Sequence, residues 1–591
     1  MMQSCDFTPF NLFDHFCSGH ALRASMSSLV FSLPATDTTE YIDHEDLIDD
    51  RSTDAAVKDF EGLIRTIPDN VPLREGCRVV ENIISNGSQW LPNDMTQWVR
   101  ISGALAPDYQ TVYFPASSTA SLEHRRFVTD GSVVGRDFIF HAELRGTPGH
   151  IVWMRTIEHT TWSATYIPVV LTDEWVRYSV PVRTVSIGAA GVYGGFINTG
   201  DSLEKTFNVR NAFFEDVTGQ ANQNPSTFTE SISYSDYENG NTVVDNVVVP
   251  GQGAAISDAY WLHMPQRTNN MPYSRDLSNA GWNKRGICSA TYDQVGIDGR
   301  PNAAALITNL GVRNIDDIYE WLGGLTAGED VGIKLWLKTV TTTGDLRIGN
   351  AGSLANGEWS VDLSMLSTAE FEEITVNHPA VTEITPFSVT GSGAAGIWFY
   401  MNSGVASVIV GNVNSTVGVN SSDVAFENPI FTSGTAVTRT TCGMYRDSTG
   451  FPQGAGTLKA VFAPMWNKSD APVVNDNGIG MTVGPSLLYF GSTSTITLTD
   501  GTSYAGLPGL TYDAGDVVEA YPTWGEGVFN NTGRNITAAG AWQTRPELAY
   551  DTSFSDSGAF RYFRGCSGIV RLYDAKLYDT KYSQAQIEAG L

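Results

Sequence analysis

The sequence predicts an all-β protein, with tandem jelly-roll-type β-sandwiches behind an irregular N-terminal attachment segment. Three observations lead there. Glycine reaches 58 of 591 residues while only 17% are charged, and Thr, Ser, Val and Asn crowd between the aromatics, the profile of short strands joined by turns. Two stretches about two hundred residues apart share one sequence plan. The length exceeds what one core serves, so roughly three or four domains are expected.

The duplication sets the central boundaries. Gly135-Arg136-Asp137 through Leu144-Arg145 matches Gly328-Glu329-Asp330 through Leu337-Lys338 at a constant offset of 193 residues. Glu174-Trp175 followed by Val176, Tyr178 and Val180 answers Glu370-Phe371 followed by Ile374 and Val376 at an offset of 196. Phe214-Glu215-Asp216 with Asn224-Pro225 faces Phe426-Glu427-Asn428-Pro429. Landmarks copied in one order indicate a duplicated domain.

In chain order, residues 1–75 carry Phe7, Phe10, Phe13 and Phe16 and then an acidic run from Asp43 to Asp50, and are expected to attach or oligomerise the chain. Residues 76–231 form the first sandwich, with strands expected at 138–144, 150–155 and 175–182. A connector at 232–266 contributes strands near 243–249. The second sandwich is expected at 267–441. Residues 442–591 make a third β-rich unit, with strands at 486–490, 495–498 and 568–572 and a short helix within 582–591.

Several classes are disfavoured. A net charge of −28 repels a phosphate backbone, and with no basic stripe visible no nucleic-acid partner is expected. No apolar run approaches the roughly twenty residues of a membrane span. The first residues lack the basic and apolar regions of a signal peptide, so synthesis in a cytoplasm without export is expected. Cys5, Cys17, Cys77, Cys288, Cys442 and Cys566 are scattered without CxxC spacing, and reduced thiols are expected.

No catalytic motif is complete. Gly501-Thr502-Ser503-Tyr504-Ala505 misses the nucleophile elbow at its last position, and His44-Glu45-Asp46-Leu47-Ile48 lacks the second metalloprotease histidine. Glycosidic cleavage needs two opposed carboxylates, and 64 acidic residues allow any pair to be chosen. The strand ladder of a β-helix is not evident, so no enzyme is expected. His15, Cys17 and His20 fit no zinc spacing. Calcium, which β-sandwiches hold through oxygen ligands, has candidate ligands in Asp276, Asp423 and Glu427 at the two ends of the second repeat. Sugar recognition needs aromatic faces that stack on pyranose C–H surfaces. The candidates are Trp398, Tyr400, Trp261 and Trp321, whereas Trp282 and Trp336, inside the repeated scaffold, read as core.

Residues 270–284, Asn-Met-Pro-Tyr-Ser-Arg-Asp-Leu-Ser-Asn-Ala-Gly-Trp-Asn-Lys, resemble the opening of carbohydrate-binding-module-like domains of bacteriophage virion proteins. Ile297-Asp298-Gly299-Arg300-Pro301-Asn302, Leu322-Gly323-Gly324-Leu325, Leu335-Trp336-Leu337-Lys338 and Phe426-Glu427-Asn428-Pro429 follow in that family's order. The first repeat lacks the Asp-Gly-x-Pro-Asn segment. Ser567-Gly568-Ile569-Val570-Arg571-Leu572-Tyr573-Asp574 with Ser583-Gln584-Ala585-Gln586-Ile587 resembles the last strand and helix of concanavalin-like, laminin-G-like sandwiches.

The resemblance implies a non-enzymatic virion surface protein, a tail fibre, spike or head fibre. It would be made in the bacterial host cytoplasm, held to capsid or tail proteins by its N-terminal segment, and directed at host-surface glycans. A homo-oligomer is implied, a trimer by analogy with appendages, although no heptad repeat marks one. Two alternatives stand beside it: a capsid decoration, cement or collar protein without ligand, and a glycan-depolymerising spike.

Overall fold

Alternation of side chains builds nearly every element. In the strand Ala164–Val170, Ile167 and Val169 are buried while Tyr166, Pro168 and Val170 face solvent, the period of a half-covered strand. The computed structural model describes, with short internal gaps, residues 29–32, 48–81, 98–124, 133–226, 232–250, 260–447, 454–468, 479–549 and 559–590. Within them the chain is almost entirely antiparallel β-structure, and its one α-helix, Gln584–Glu588, is closed by a capping box between Ser583 and Gln586.

The first sandwich pairs two sheets. One runs Ala164–Val170, Ile151–His159, Gly191–Ile197, Ser121–His124, Trp98–Ile101 in space. The other centres on Asp137–Gly146, flanked by Val176–Ser179 and by Lys205–Asp216, which continues to Thr111–Phe114 and Ala104–Leu105. Phe138, Phe140, Phe196, Phe207 and Phe214 fill the space between them. The connector strands Asn241–Val244 and Val247–Pro250 add to the second sheet beyond Val176–Ser179.

The second sandwich repeats this order. Its first sheet runs Val381–Val389, Ala355–Asp362, Asp345–Asn350, Gly393–Met401, Ile318–Leu325, Asn283–Lys284. Its second runs Ser289–Gln294, Ala304–Leu310, Ala406–Val417, Val331–Thr339, Glu372–Ile374. The matched sequence landmarks 137–145 and 330–338 thus fall on central strands with equivalent neighbours. Trp282, Trp359 and Phe399 anchor the core.

In the C-terminal unit, Gly456–Pro464, Val518–Gly525, Val528–Asn535 and Val570–Tyr578 belong to a nine-stranded sheet. It shares its core with a seven-stranded sheet containing Ser486–Phe490 and Ile496–Thr499. Three distant pieces join the larger sheet: Leu29–Ser32 and Tyr260–His263 each pair with Val570–Tyr578, and Arg74–Glu75 pairs with Tyr260–His263.

The described part of the 1–75 segment is packed between the three units. The hairpin Ala55–Lys58 with Ile64–Ile67 turns Ala55, Val57 and Ile67 into the C-terminal core and Ala56 and Ile64 toward Ile297 and Trp336 of the second sandwich. Arg65 Nη2 donates to the Thr218 carbonyl at 3.1 Å, and Arg78 Nη2 to Glu215 Oε1 at 2.7 Å, both in the first sandwich. The two sandwiches meet through Gly219 and Gly299. A Cβ on Gly219 would lie 2.7 Å from the Gly299 Cα, and both residues have positive φ, so the contact admits no side chain. Of the six cysteines, Cys288 is described, free and buried; the other five lie outside the described residues.

Candidate functional site

The strand Ile318–Leu325 puts Ile318 and Leu322 into the core of the second sandwich, so Tyr319 and Trp321 face outward. Beside it, Gly393–Met401 turns Ile397, Phe399 and Met401 inward and Trp398 and Tyr400 outward. The register sets Tyr319 against Trp398 and Trp321 against Gly396. The result is an aromatic row: Trp321 to Tyr319 at 5.6 Å between ring centroids, Tyr319 to Trp398 at 5.0 Å, Trp398 to Tyr400 at 6.5 Å. These spacings are those of favourable edge and tilted aromatic pairs.

Two arginines lie over this row. The Arg285 guanidinium sits 4.6 Å from the Tyr319 centroid and 4.9 Å from that of Trp398. Arg313 sits 4.3 Å from Trp398 and 5.4 Å from Tyr400. All four distances are within cation–π range. Their loops are tied together: the Arg285 amide donates to the Asp317 carbonyl at 2.9 Å, and the Ile287 amide to Asp316 Oδ1 at 2.8 Å. Gly286 permits the crossing, since a Cβ there would stand 2.0 Å from Asp316 Oδ1 and its φ is +58°.

Because guanidinium groups cover them, Trp398 and Tyr400 are each only 7% exposed, whereas Trp321 is 40% exposed. Three of the four aromatic candidates therefore converge, with different parts to play. Trp321 offers a ring to solvent; Trp398 and Tyr400 form the shelf on which the arginines rest. Trp261 stands apart, 2% exposed in the C-terminal core with Arg74 over its ring at 5.3 Å. Tyr319, Arg285 and Arg313 join the site without having been candidates from the sequence. Tyr319 could have been found by counting two residues from Trp321 on a strand, but no local pattern marks the arginines.

Directly behind the row, Glu320 points inward. One of its carboxylate oxygens, Oε2, is buried without a hydrogen-bond partner. Burial pushes its pKa up to about 7, against the opposing influence of the Trp321 amide and Lys284. Burial and the nearby Glu358 carboxylate likewise raise the Tyr400 hydroxyl, opposed by Arg313.

The calcium candidates have other partners where they are described. Asp276 Oδ1 accepts from the Ser278 amide at 3.1 Å, Glu427 pairs with Arg267, and Asp423 lies outside the described residues. Among the described residues no three His, Cys, Asp or Glu side chains form a metal-holding group. The loop after Asp276 already holds a cation of its own. Lys284 Nζ donates to the carbonyls of Ser278, Asn279 and Trp282, each at 3.0 Å, so these oxygens are spent on an ammonium.

Among the described residues the first sandwich shows no matching row. On its equivalent strand, Gly191–Ile197, the residues flanking core Phe196 are Gly195 and Ile197, where the second sandwich has Trp398 and Tyr400 around Phe399. A separate cavity of about 610 Å³ in the C-terminal unit is lined by Asn530, Thr532, Glu547 and Lys581 among others. It is crossed by the Lys581–Glu547 ion pair at 2.7 Å and has no comparable aromatic platform.

Neither a protein-family description nor a curated protein matches the chain. Among solved structures, it is similar to the N-terminal CBM22-1-CBM22-2 tandem domain of Xyn10C from Paenibacillus barcinonensis. That similarity has 10% identity, covers 57% of this chain and 98% of that one, and has a TM-score of 0.16. The LG1-3 region of the laminin alpha2 chain is similar at 9% identity, over 80% of this chain and 97% of that one, with a TM-score of 0.15. Scores this low leave the functional argument to the site itself. Among the described residues no helix is long and apolar enough to cross a membrane.

Proposed function

We propose that the chain is a non-enzymatic glycan-binding protein whose second sandwich takes sugar on the outer face of its first sheet. The observation that carries this is the exposed Trp321 ring beside two guanidinium groups held on an aromatic shelf. An open indole supplies a stacking surface for the C–H face of a pyranose, and fixed N–H donors read its oxygens. Both come from strands and loops tied to a packed core, so little order has to be gained on binding.

The setting we favour is a phage virion surface, as a tail fibre, spike or head fibre contacting host-surface glycans. It rests on the sequence resemblance of residues 270–302 and 426–429 to virion modules, as does the trimeric, capsid- or tail-bound assembly. The test is binding of the full chain to immobilised host-envelope polysaccharide, with Trp321→Ala as the control. Saturable binding lost in the variant supports the reading; equal retention by both proteins, or by neither, contradicts it.

One observation favours a second reading. The hairpin 55–67 joins all three units, and a stiff joint of this kind also suits a capsid decoration or collar protein without ligand. Particles lacking the protein would then lose resistance to heat rather than infectivity.

A further inference from the structure

We infer that this face selects acidic glycans, and that Arg313 is the residue that reads the sugar carboxylate. The inference rests on the glycan-binding reading and names its ligand class.

The two arginines differ in the donors they have left to give. Arg285 is largely committed: Nη1 donates to Asn314 Oδ1 at 2.6 Å and lies 3.8 Å from Asp317, and Nη2 donates to the Tyr319 hydroxyl at 3.3 Å. Arg313 has no ion pair with a carboxylate among the described residues. The acidic groups around it are engaged elsewhere. Asp316 holds the Ile287 amide, Asp317 the Asn314 amide, and Glu358 pairs with Arg347 at 2.9 Å. Glu320 faces the interior beneath the sheet.

Stacking decides which part of Arg313 remains available. With its guanidinium 4.3 Å from the Trp398 centroid and one N–H spent on the Tyr400 hydroxyl, Arg313 is held in place and has its remaining N–H donors left for a partner. A planar edge with paired donors fits a carboxylate in bidentate fashion, and prepositioning it reduces the order lost on binding. A neutral hydroxyl can use one such donor, but it leaves the positive charge uncompensated. Charge-assisted bonds are roughly twice as strong as neutral ones.

The ring that accepts the sugar and the cation that accepts its carboxylate are neighbours. Tyr319 alone separates Trp321 from Trp398, on which both arginines rest. A sugar stacked on Trp321 would therefore extend its chain over the guanidinium groups. Net charge argues that this is local selection and not steering. The whole chain carries −28 and repels an anionic polymer at long range, so preference for one has to arise at contact distance, where screening by salt is weaker.

The experiment uses the full chain and a panel of oligouronates of galacturonate, glucuronate and mannuronate, each paired with the same oligomer reduced at its carboxyls to the neutral sugar. The expected result is at least tenfold tighter binding to one or more acidic members than to their reduced partners. That preference should weaken at 1 M salt and collapse toward unity in Arg313→Gln. Arg313→Lys, which keeps the charge without the planar fork, should fall between. Trp162→Ala, an exposed indole on the first sandwich, should keep the preference and serves as the folding-matched control. Equal binding of acidic and reduced forms, or a preference that survives Arg313→Gln, overturns the inference while leaving the glycan-binding reading intact. Binding to no member of the panel in either form, by a chain whose unfolding transition is normal, overturns both.

Discussion

Trp321, Glu320 and Tyr319 are consecutive residues with unlike duties, and the strand's alternation separates them. Truncating the exposed ring, Trp321→Ala, should abolish measurable glycan binding while leaving the melting temperature within a degree or two, because little of the core is touched. Glu320 sits on the other face, and its effect is on stability. The unfolded carboxyl releases its proton near the ordinary value of 4.5 and the folded one near 7. Between those values the folded chain holds more protons, so stability falls as pH rises through the window. Glu320→Gln should therefore flatten this slope and raise stability above pH 7, by about 1–2 kcal/mol once solvent screening is allowed for. Urea titrations at pH 5 and pH 8 measure it. His141 acts in the opposite sense. Burial first, then Arg177, hold it at about 3 against 6.5 unfolded, so the unfolded chain binds the extra proton and stability falls as pH drops below about 6.5. His141→Gln should remove that acid limb.

Two strands that match in topology differ in the residues they turn outward. Gly191–Ile197 and Gly393–Met401 occupy equivalent places in their sheets, and the inward phenylalanines, Phe196 and Phe399, are both core. Their outward neighbours are set by the surface, which the fold leaves unconstrained. That is why the duplicated sandwich was legible from repeated apolar positions and turn landmarks, while the site was legible only in part. The Trp398-Phe399-Tyr400 run declares an aromatic on the outer face, since alternation leaves no other choice. It does not declare that Arg285 and Arg313, from loops 28 residues apart in sequence, close over it. Their placement depends on Gly286, and nothing local separates that glycine from the other 57. Gly286→Ala should force the Arg285 loop off Asp316 at a conformational cost of about 1–2 kcal/mol from its positive φ alone. Glycan affinity should drop by about tenfold or more, as a titration would read it.

Residues far apart in the chain fix the three units to one another. Ala56 faces the second sandwich, Ala55 and Val57 the C-terminal core, and Arg65 the first sandwich, while Arg78, at the start of the first sandwich, anchors the incoming chain to Glu215. Sequence composition gave no sign of this, because a segment with charged and apolar residues intermixed reads equally as a tail or as a joint until its partners are known. The pair Arg78–Glu215 is fully buried, and removing one member of such a pair leaves an uncompensated charge costing roughly 3–5 kcal/mol. Arg78→Ala should therefore destabilise the first sandwich and separate its unfolding from that of the other units in calorimetry. A single transition unchanged by the substitution would contradict the joint. Holding the modules together gives the binding face a defined direction relative to the rest of the chain, whether it is displayed outward on a particle or used within one.

The most direct test is amide hydrogen exchange of the full chain with and without a saturating acidic oligosaccharide. Slowed exchange is expected in the segments carrying Arg285, Arg313, Tyr319, Trp321, Trp398 and Tyr400, with Gly191–Ile197 of the first sandwich unchanged. Protection confined to the first sandwich or to the C-terminal unit, with none on these strands, would contradict a glycan site there.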